Sequence, residues 1–457
     1  MSNTEESAQP KPARLNAERK TMLIFSAAAL LIVVTPILFF ALQHKSAYER
    51  LMINEGDQNS EGPKVEQVST KEAAARVDWN GVKVLHLVDR PFSNGRNGLE
   101  RGAAIAEVWP AYESAREDFA HLQTRLPSEQ IAWVEALFSK VLSDPSPTLR
   151  GAWQPDLVQE TQGRQSEDLG ELQRLLLATQ TPDFVHLDAL ATSIDELGPV
   201  IAIEAMSPSG PSVGQWLTPI VLSVEPSAEL AEQGQKEQHL FMLGIAGQSA
   251  PLLGMNLDGL AMVRLPIRPS KGYRDVQTGP DALTQLRVLL VGRSKAGVGE
   301  GEVGRDLIGL SETQVLTRLS TPSAMLCADL DSAWRYEWDV SDDPNRSGGL
   351  EFAKLEDDSR LWATTQFLAP EKRNANGEAY RSPLEHDLRR AGSIDDLIDW
   401  VQGASALHGD VPARVVLIPK LKRVLYVAGG KDFHKTKNPM LDLELGKAAG
   451  LTWRKRG

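Results

Sequence analysis

A single cysteine, Cys327, stands in 457 residues, so the chain cannot hold an internal disulfide framework. A body of this length can be stable without one, because its core is large enough. Cys327 lies in the apolar run Ala324-Met325-Leu326-Cys327-Ala328, with no His or Asn motif beside it. It reads as a small buried hydrophobe and not as a nucleophile. Histidine is scarce as well: there are 8, scattered, with no H-E-x-x-H or other paired ligand spacing. No repeat of fixed period occurs, and long apolar runs are missing except for one.

That one run is Met22 to Leu42, MLIFSAAALLIVVTPILFFAL, uncharged throughout. At about 1.5 Å rise per residue it matches a hydrocarbon core of roughly 30 Å. It is longer than a signal-peptide core, and Gln43-His44-Lys45 follows it with no small-x-small cleavage site. The sequence therefore predicts an uncleaved single-pass signal-anchor helix over 22–42. Lys11, Arg14, Arg19 and Lys20 precede it, which favours a cytoplasmic N-terminus and an extracytoplasmic body at the cell membrane.

Charge is uneven. Residues 414–457 carry eleven Lys/Arg against three acids, and residues 44–413 carry 34 against 55. An acidic body with a basic end bears on partners and solubility, not on fold. Lys420, Lys422, Arg423, Lys431, Lys435, Lys437 and Arg454-Lys455-Arg456 could meet anionic lipid, nucleic acid or an acidic partner. Nucleic acid is not expected if the body is exported.

The chain divides by texture. Residues 1–21 read as a disordered tail, 22–42 as the anchor and 43–78 as a polar stalk. Residues 79–196 read as helix-rich, with one strand at Val82–Val88 and helices over Leu99–Leu126, Ser128–Leu142 and Ser166–Thr179. Residues 197–370 read as mainly β. Strands are predicted at Val200–Ala205, Trp216–Val224, Leu240–Ile245, Leu260–Ile267, Leu286–Val291, Ala324–Leu330, Trp334–Val340 and Leu361–Leu368. Residues 371–457 read as a small α/β segment. It has helices at Pro383–Ala391 and Ser393–Gln402, strands at Ala413–Ile418 and Arg423–Ala428, and a basic tail. The fold class expected is α+β.

No motif reaches a catalytic assignment. Gly299-Glu300-Gly301-Glu302-Val303-Gly304 matches G-x-G-x-x-G, but two glutamates would repel a pyrophosphate and the preceding strand ends too early. Gly429-Gly430-Lys431 is followed by Asp432, where a phosphate loop needs Ser or Thr. Ser294, in Gly292-Arg293-Ser294-Lys295-Ala296, sits just past a strand like a nucleophile elbow, with His386 and His408 as distant base candidates. Gly247-Gln248-Ser249-Ala250-Pro251 fits that pattern less well. Asp329 and Asp331, spaced i, i+2, put two carboxylates on one side of an extended chain, as a cation or an acid/base pair would need. Glu337 and Asp339 repeat the spacing, and the alternative is a solvated face or turn. Trp334, Tyr336 and Trp338 alternate along one strand face, either as an exposed stacking row or as the core side of an edge strand. No metal, cofactor or catalytic residue is assigned.

The expectation is a membrane-tethered extracytoplasmic binding or scaffolding protein of the cell envelope. Its partners would be membrane lipid through 22–42 and other envelope proteins. One alternative is a membrane-anchored hydrolase using Ser294 or Asp329/Asp331. Another is a cytoplasmic body whose basic C-terminus binds nucleic acid or anionic lipid.

Overall fold

Strand formation here follows from burial on both faces. Leu217–Val224, LTPIVLSV, is buried at every position, as is Ala413–Ile418, ARVVLI. Such runs lack the polar/apolar alternation of a half-exposed strand and need cover on either side. A computed structural model describes residues 63–70, 72–89, 97–109, 186–206, 217–226, 231–232, 237–245, 251–267, 286, 290, 323–338, 351–356, 360–364, 384, 388–403, 413–428 and 439–448.

Sixteen strands and three helices have their full extent among these residues. In chain order they begin with β1 (Lys64–Val68), β2 (Ala74–Trp79), β3 (Val82–Asp89) and helix α1 (Asn97–Val108). Next come β4 (His186–Ile194), β5 (Gly198–Met206), β6 (Leu217–Val224), β7 (Gln238–Ile245), β8 (Pro251–Asn256) and β9 (Ala261–Pro266). Then follow β10 (Ser323–Ala328), β11 (Ala333–Trp338), β12 (Glu351–Lys354), β13 (Arg360–Thr364) and α2 (Ile394–Gln402). The last are β14 (Ala413–Ile418), β15 (Arg423–Val427), β16 (Met440–Glu444) and the short helix α3 (Leu445–Ala448).

Two sheets result. One has ten strands in the order β1-β2-β3-β6-β7-β8-β9-β10-β11-β12, the other six in the order β13-β4-β5-β14-β15-β16. Only β3 and β6 pair in parallel among the described strands. A parallel pair needs a crossover connection. Here the chain leaves β3, forms α1, gives the β4–β5 hairpin to the other sheet, and returns as β6.

The sheets face each other across a core that holds Val84, Val221, Phe241, Val263 and Leu326 from the ten-stranded sheet. Ile201, Ile203, Val415, Leu417 and Leu443 enter the same core from the six-stranded sheet. A second core lies on the far face of the ten-stranded sheet. There Leu87, Ile220, Met242, Met325, Trp334 and Tyr336 meet Ala104, Ile105 and Val108 of α1. Edge strand β1 carries Lys64 and Glu66 and a register shift between Val65 and Gln67. Charge and a bulge at an edge oppose pairing with a stray strand.

Helix α2 has local determinants. Ser393 accepts from the Asp396 N–H, and Asp396 in turn accepts from the Ser393 N–H, closing a capping box. The Gly392 N–H and the Ser393 hydroxyl, also donating to Asp396, hold its carboxyl below the usual range. Ser393→Ala is expected to destabilise the protein by about 1 kcal/mol, read from the denaturant midpoint at pH 7.

The architecture corrects the expected α+β class: the described chain is mainly β. Residues 186–194, placed by sequence in a helix-rich segment, are strand β4. Their sequence, HLDALATSI, is rich in Leu and Ala and buried on both faces, so neither periodicity is visible locally. Leu286 and Leu290, expected in a strand, are helical and enter the second core four residues apart. Lys64–Val68 and Ala74–Trp79 are strands inside the span read as a stalk. The expected helices at 110–126, 128–142 and 166–179 lie outside the described residues. No helix among the described residues is long and apolar enough to cross a membrane, so the transmembrane, single-pass and signal-anchor reading has no structural support. The stretch 22–42 lies outside the described residues.

Candidate functional site

Four hairpin turns, two from each sheet, meet at one end of the sandwich. The six-stranded sheet supplies the β4–β5 turn (Asp195, Glu196, Leu197) and the β14–β15 turn (Pro419 to Lys422). The ten-stranded sheet supplies the β8–β9 turn (Leu257 to Leu260) and the β10–β11 turn (Asp329 to Ser332). Close approach is enforced by glycine. Gly259, at φ +84°, leaves room for a Cβ only 2.5 Å from Leu330 Cδ2 and 3.0 Å from the Pro419 carbonyl. A Cβ on Gly198, at φ +67°, would lie 3.2 Å from the Leu330 carbonyl and 3.7 Å from Lys420 Cδ. Both φ values suit glycine.

Short polar side chains fix the turns. Asp329 Oδ1 accepts from the Asp331 and Ser332 N–H groups, both at 2.9 Å. Asn256 Oδ1 accepts from the Asp258 and Leu260 N–H groups at 3.1 and 2.9 Å, and its amide donates to the Leu290 carbonyl. These are Asx-type bonds, the reason Asp and Asn recur in turns. On this frame Leu330 is 40% exposed, one of two large hydrophobics so exposed among the described residues. The four turns together carry Asp195, Glu196, Asp258, Asp329 and Asp331, against Lys420 and Lys422. Burial pushes the Asp258 carboxyl up, and Lys422 pulls it part of the way back.

The sequence candidates fall out as follows. Asp329 and Asp331 do belong to this end, but as turn residues; no group of three His, Cys, Asp or Glu able to hold a metal occurs among the described residues. Trp334 and Tyr336 are buried in the second core. Their strand is not an edge, because β12 pairs beyond it. On the opposite face Glu337, 1% exposed, lies 3.3 Å from Arg335. Cys327 is fully buried, and burial together with Asp329 pushes its thiol well above the ordinary range. Two cations of the basic C-terminal part are spent internally. Arg414 pairs with Glu204, and Arg423 makes a two-pronged bond to Asp442 at 2.6 and 2.5 Å. Ser294, Ser249, His386, His408, Asp339, the Gly299–Gly304 and Gly429–Lys431 motifs and Arg454–Arg456 lie outside the described residues.

Two buried polar arrangements have no counterpart among the sequence candidates. On the inner face of the ten-stranded sheet, Ser223 Oγ lies 2.8 Å from His86 Nε2 and 2.9 Å from His239 Nδ1. The three residues come from adjacent strands β3, β6 and β7 and are 0–3% exposed. On the outer face of the six-stranded sheet, Thr364, Asp188, Glu204 and Arg414 occupy one cross-strand row. All four are at most 2% exposed. The signal for both is a polar residue at a core-facing position of an otherwise apolar strand. Its partners stand on strands far away in the sequence.

No family model and no curated protein matches the chain. Among solved structures, a Caenorhabditis elegans N-acylethanolamine-hydrolyzing acid amidase (NAAA) ortholog aligns at 12% identity and TM-score 0.30, covering 51% of this chain and 93% of that one. A mutant conjugated bile acid hydrolase from Clostridium perfringens aligns at 10% identity and TM-score 0.29, covering 57% of this chain and 93% of that one. At these values the likeness carries no argument about fold or activity.

Proposed function

We propose that the body is a binding or scaffolding module of the cell envelope and that it takes a protein partner on the four convergent turns. One observation carries this reading: an exposed leucine stands where four acidic turns, held by Asx bonds and glycines, meet. A rigid exposed site loses little freedom on binding, and loops on a rigid scaffold are where recognition concentrates. An apolar anchor on acidic turns fits a polypeptide that presents an apolar side chain beside Lys or Arg. The envelope location rests on the uncharged stretch 22–42 of the sequence and is tested by membrane fractionation of the full chain.

The binding test is a photo-crosslinker at Leu330, followed by affinity measurements on the captured protein. Leu330→Lys with Asp331→Lys is expected to weaken binding at least tenfold. The unfolding free energy should stay within about 0.5 kcal/mol, because both residues are exposed. Undiminished affinity in the double variant would reject the turns as the site.

The hydrolase reading has one observation in its favour: the Ser223–His239 contact has the length of a nucleophile–base pair. Ser223 is 0% exposed, which keeps a substrate carbonyl from its oxygen. Labelling by a fluorophosphonate probe, lost in Ser223→Ala, would overturn the binding reading in favour of hydrolysis.

A further inference from the structure

We propose that Asn80, in the β2–β3 turn, is a site of spontaneous deamidation, and that the Asp78 carboxylate holds the reaction back in the folded protein. The argument is independent of the partner site. Strands β2 and β3 close over two residues, because Trp79 pairs with Val82. Asn80 and Gly81 fill that gap at φ +53° and +86°. Two positive φ values make a type I′ turn, and Asn-Gly is a pair that this turn prefers. Both residues are exposed. The sequence that suits the turn also suits attack on the asparagine amide, because the next backbone nitrogen belongs to a residue with no side chain to obstruct it.

The reaction uses only the chain and water. The Gly81 backbone nitrogen gives its proton to solvent base and bonds to Asn80 Cγ. The Cγ–Nδ2 bond breaks, the nitrogen takes a proton from solvent and leaves as ammonia, and a five-membered imide remains. Water then opens the imide. Opening at Cγ gives an aspartate at position 80; opening at the main-chain carbonyl gives an isoaspartate, with one more carbon in the backbone. Asp78 opposes the first step. Its Oδ1 accepts the Gly81 N–H at 2.7 Å, so the proton that must leave is already held. Lys83 donates to Oδ2 at 2.6 Å and holds the carboxyl below its usual range, so it is ionised at neutral pH. Taking the proton from Gly81 would set a second negative charge against this carboxylate, and like charge disfavours such an ionisation. Lys83 is 44% exposed, so its own charge is screened and offsets this only in part.

The experiment incubates the full chain at neutral pH and follows Asn80 by mass spectrometry on the tryptic peptide Val77–Lys83. That peptide keeps it apart from the other Asn-Gly pairs, at 94–95, 97–98 and 376–377. Folded Asp78→Ala is expected to convert roughly three- to tenfold faster than folded wild type, as fits the loss of one partly screened like charge. Wild-type chain unfolded in guanidinium chloride is expected to convert faster than the folded wild type. A folded variant no faster than wild type overturns the proposal, and so does an Asn80 that stays intact in the unfolded chain. Should Asp78→Ala fail to fold, Asp78→Ser, which has a short hydroxyl and no charge, is held to the same comparison.

Discussion

Arg414→Ala is expected to lower the unfolding free energy by about 3–5 kcal/mol, the usual result of removing one partner from a buried ion pair. Arg414 is 2% exposed and lies opposite Glu204 on the paired strands β14 and β5. Its Nε donates to Glu204 Oε1 at 2.9 Å. Its Nη1 donates to the carbonyls of Trp400 and Gly403 at 2.5 and 2.6 Å, and its guanidinium lies 4.9 Å from the Trp400 ring centroid. One side chain thus neutralises a buried carboxylate, satisfies carbonyls at the C-terminal end of α2 and pins that helix to the sheet. The last turn of α2 has no basic residue of its own, so Arg414 supplies the positive charge that end attracts. Arg414→Lys should recover less than half of the loss, because an ammonium lacks the planar fork that reaches three acceptors. Arg423→Ala is the comparison. Its pair with Asp442 is partly exposed, at 17% and 31%, and its loss should amount to about 1 kcal/mol or less. Denaturant midpoints at constant slope measure all three. A loss below about 1 kcal/mol for Arg414→Ala would show that this row does not hold the helix to the sheet.

Gly259→Val is expected to destabilise by about 2–4 kcal/mol, from backbone strain at φ +84° together with overpacking. The new Cβ would sit 2.5 Å from Leu330 Cδ2 and 3.0 Å from the Pro419 carbonyl. The Leu330 methyl is at the end of a flexible side chain and would yield first; the backbone carbonyl is harder to move. The substitution should therefore also displace the exposed leucine and weaken partner binding, beyond what the stability loss accounts for. Gly446→Ala is the control, since nothing lies within 4 Å of a Cβ there. It is expected to be neutral or slightly stabilising, as Ala is favoured over Gly in a helix. Equal midpoints for Gly259→Val and wild type would mean that the four turns do not meet.

Much of the strand inventory is legible in the sequence. Val82–Val88, Val200–Ala205, Leu240–Ile245, Ala413–Ile418 and Arg423–Ala428 lie on β3, β5, β7, β14 and β15 to within two residues. These runs are β-branched or apolar and short, and Gly, Pro or Asp stands at or near one end or both of them, which is a local signal. Helix α2 is legible for the same kind of reason: Ser393 as cap and Asp395 and Asp396 in the first turn act within a few residues. Strand β4 escapes a sequence reading because burial on both faces hides its period. Strand β16, MLDLE, does alternate, but it lies in a stretch whose positive charge suggests a tail. Asp329 stands out for its spacing to Asp331, yet its carboxylate bonds the backbone N–H groups after it.

The bounded apolar strands, the Ser393 cap and the core placement of Cys327 depend on neighbours along the chain, so the linear order of residues is enough to establish them. Strand pairing depends on residues far apart in that order and emerges only in the assembled sheets. Position 204 meets position 414, and positions 86, 223 and 239 meet in one hydrogen-bonded chain, because β14 inserts beside β5 and the chain crosses between sheets before β6. The same assembly brings Asp195, Asp258, Leu330 and Lys420 to one end of the sandwich. Hairpin chemistry is written locally. The meeting of four hairpins is set by the packing of two twisted sheets face to face, where apolar area removed from water, and not any motif, fixes the alignment.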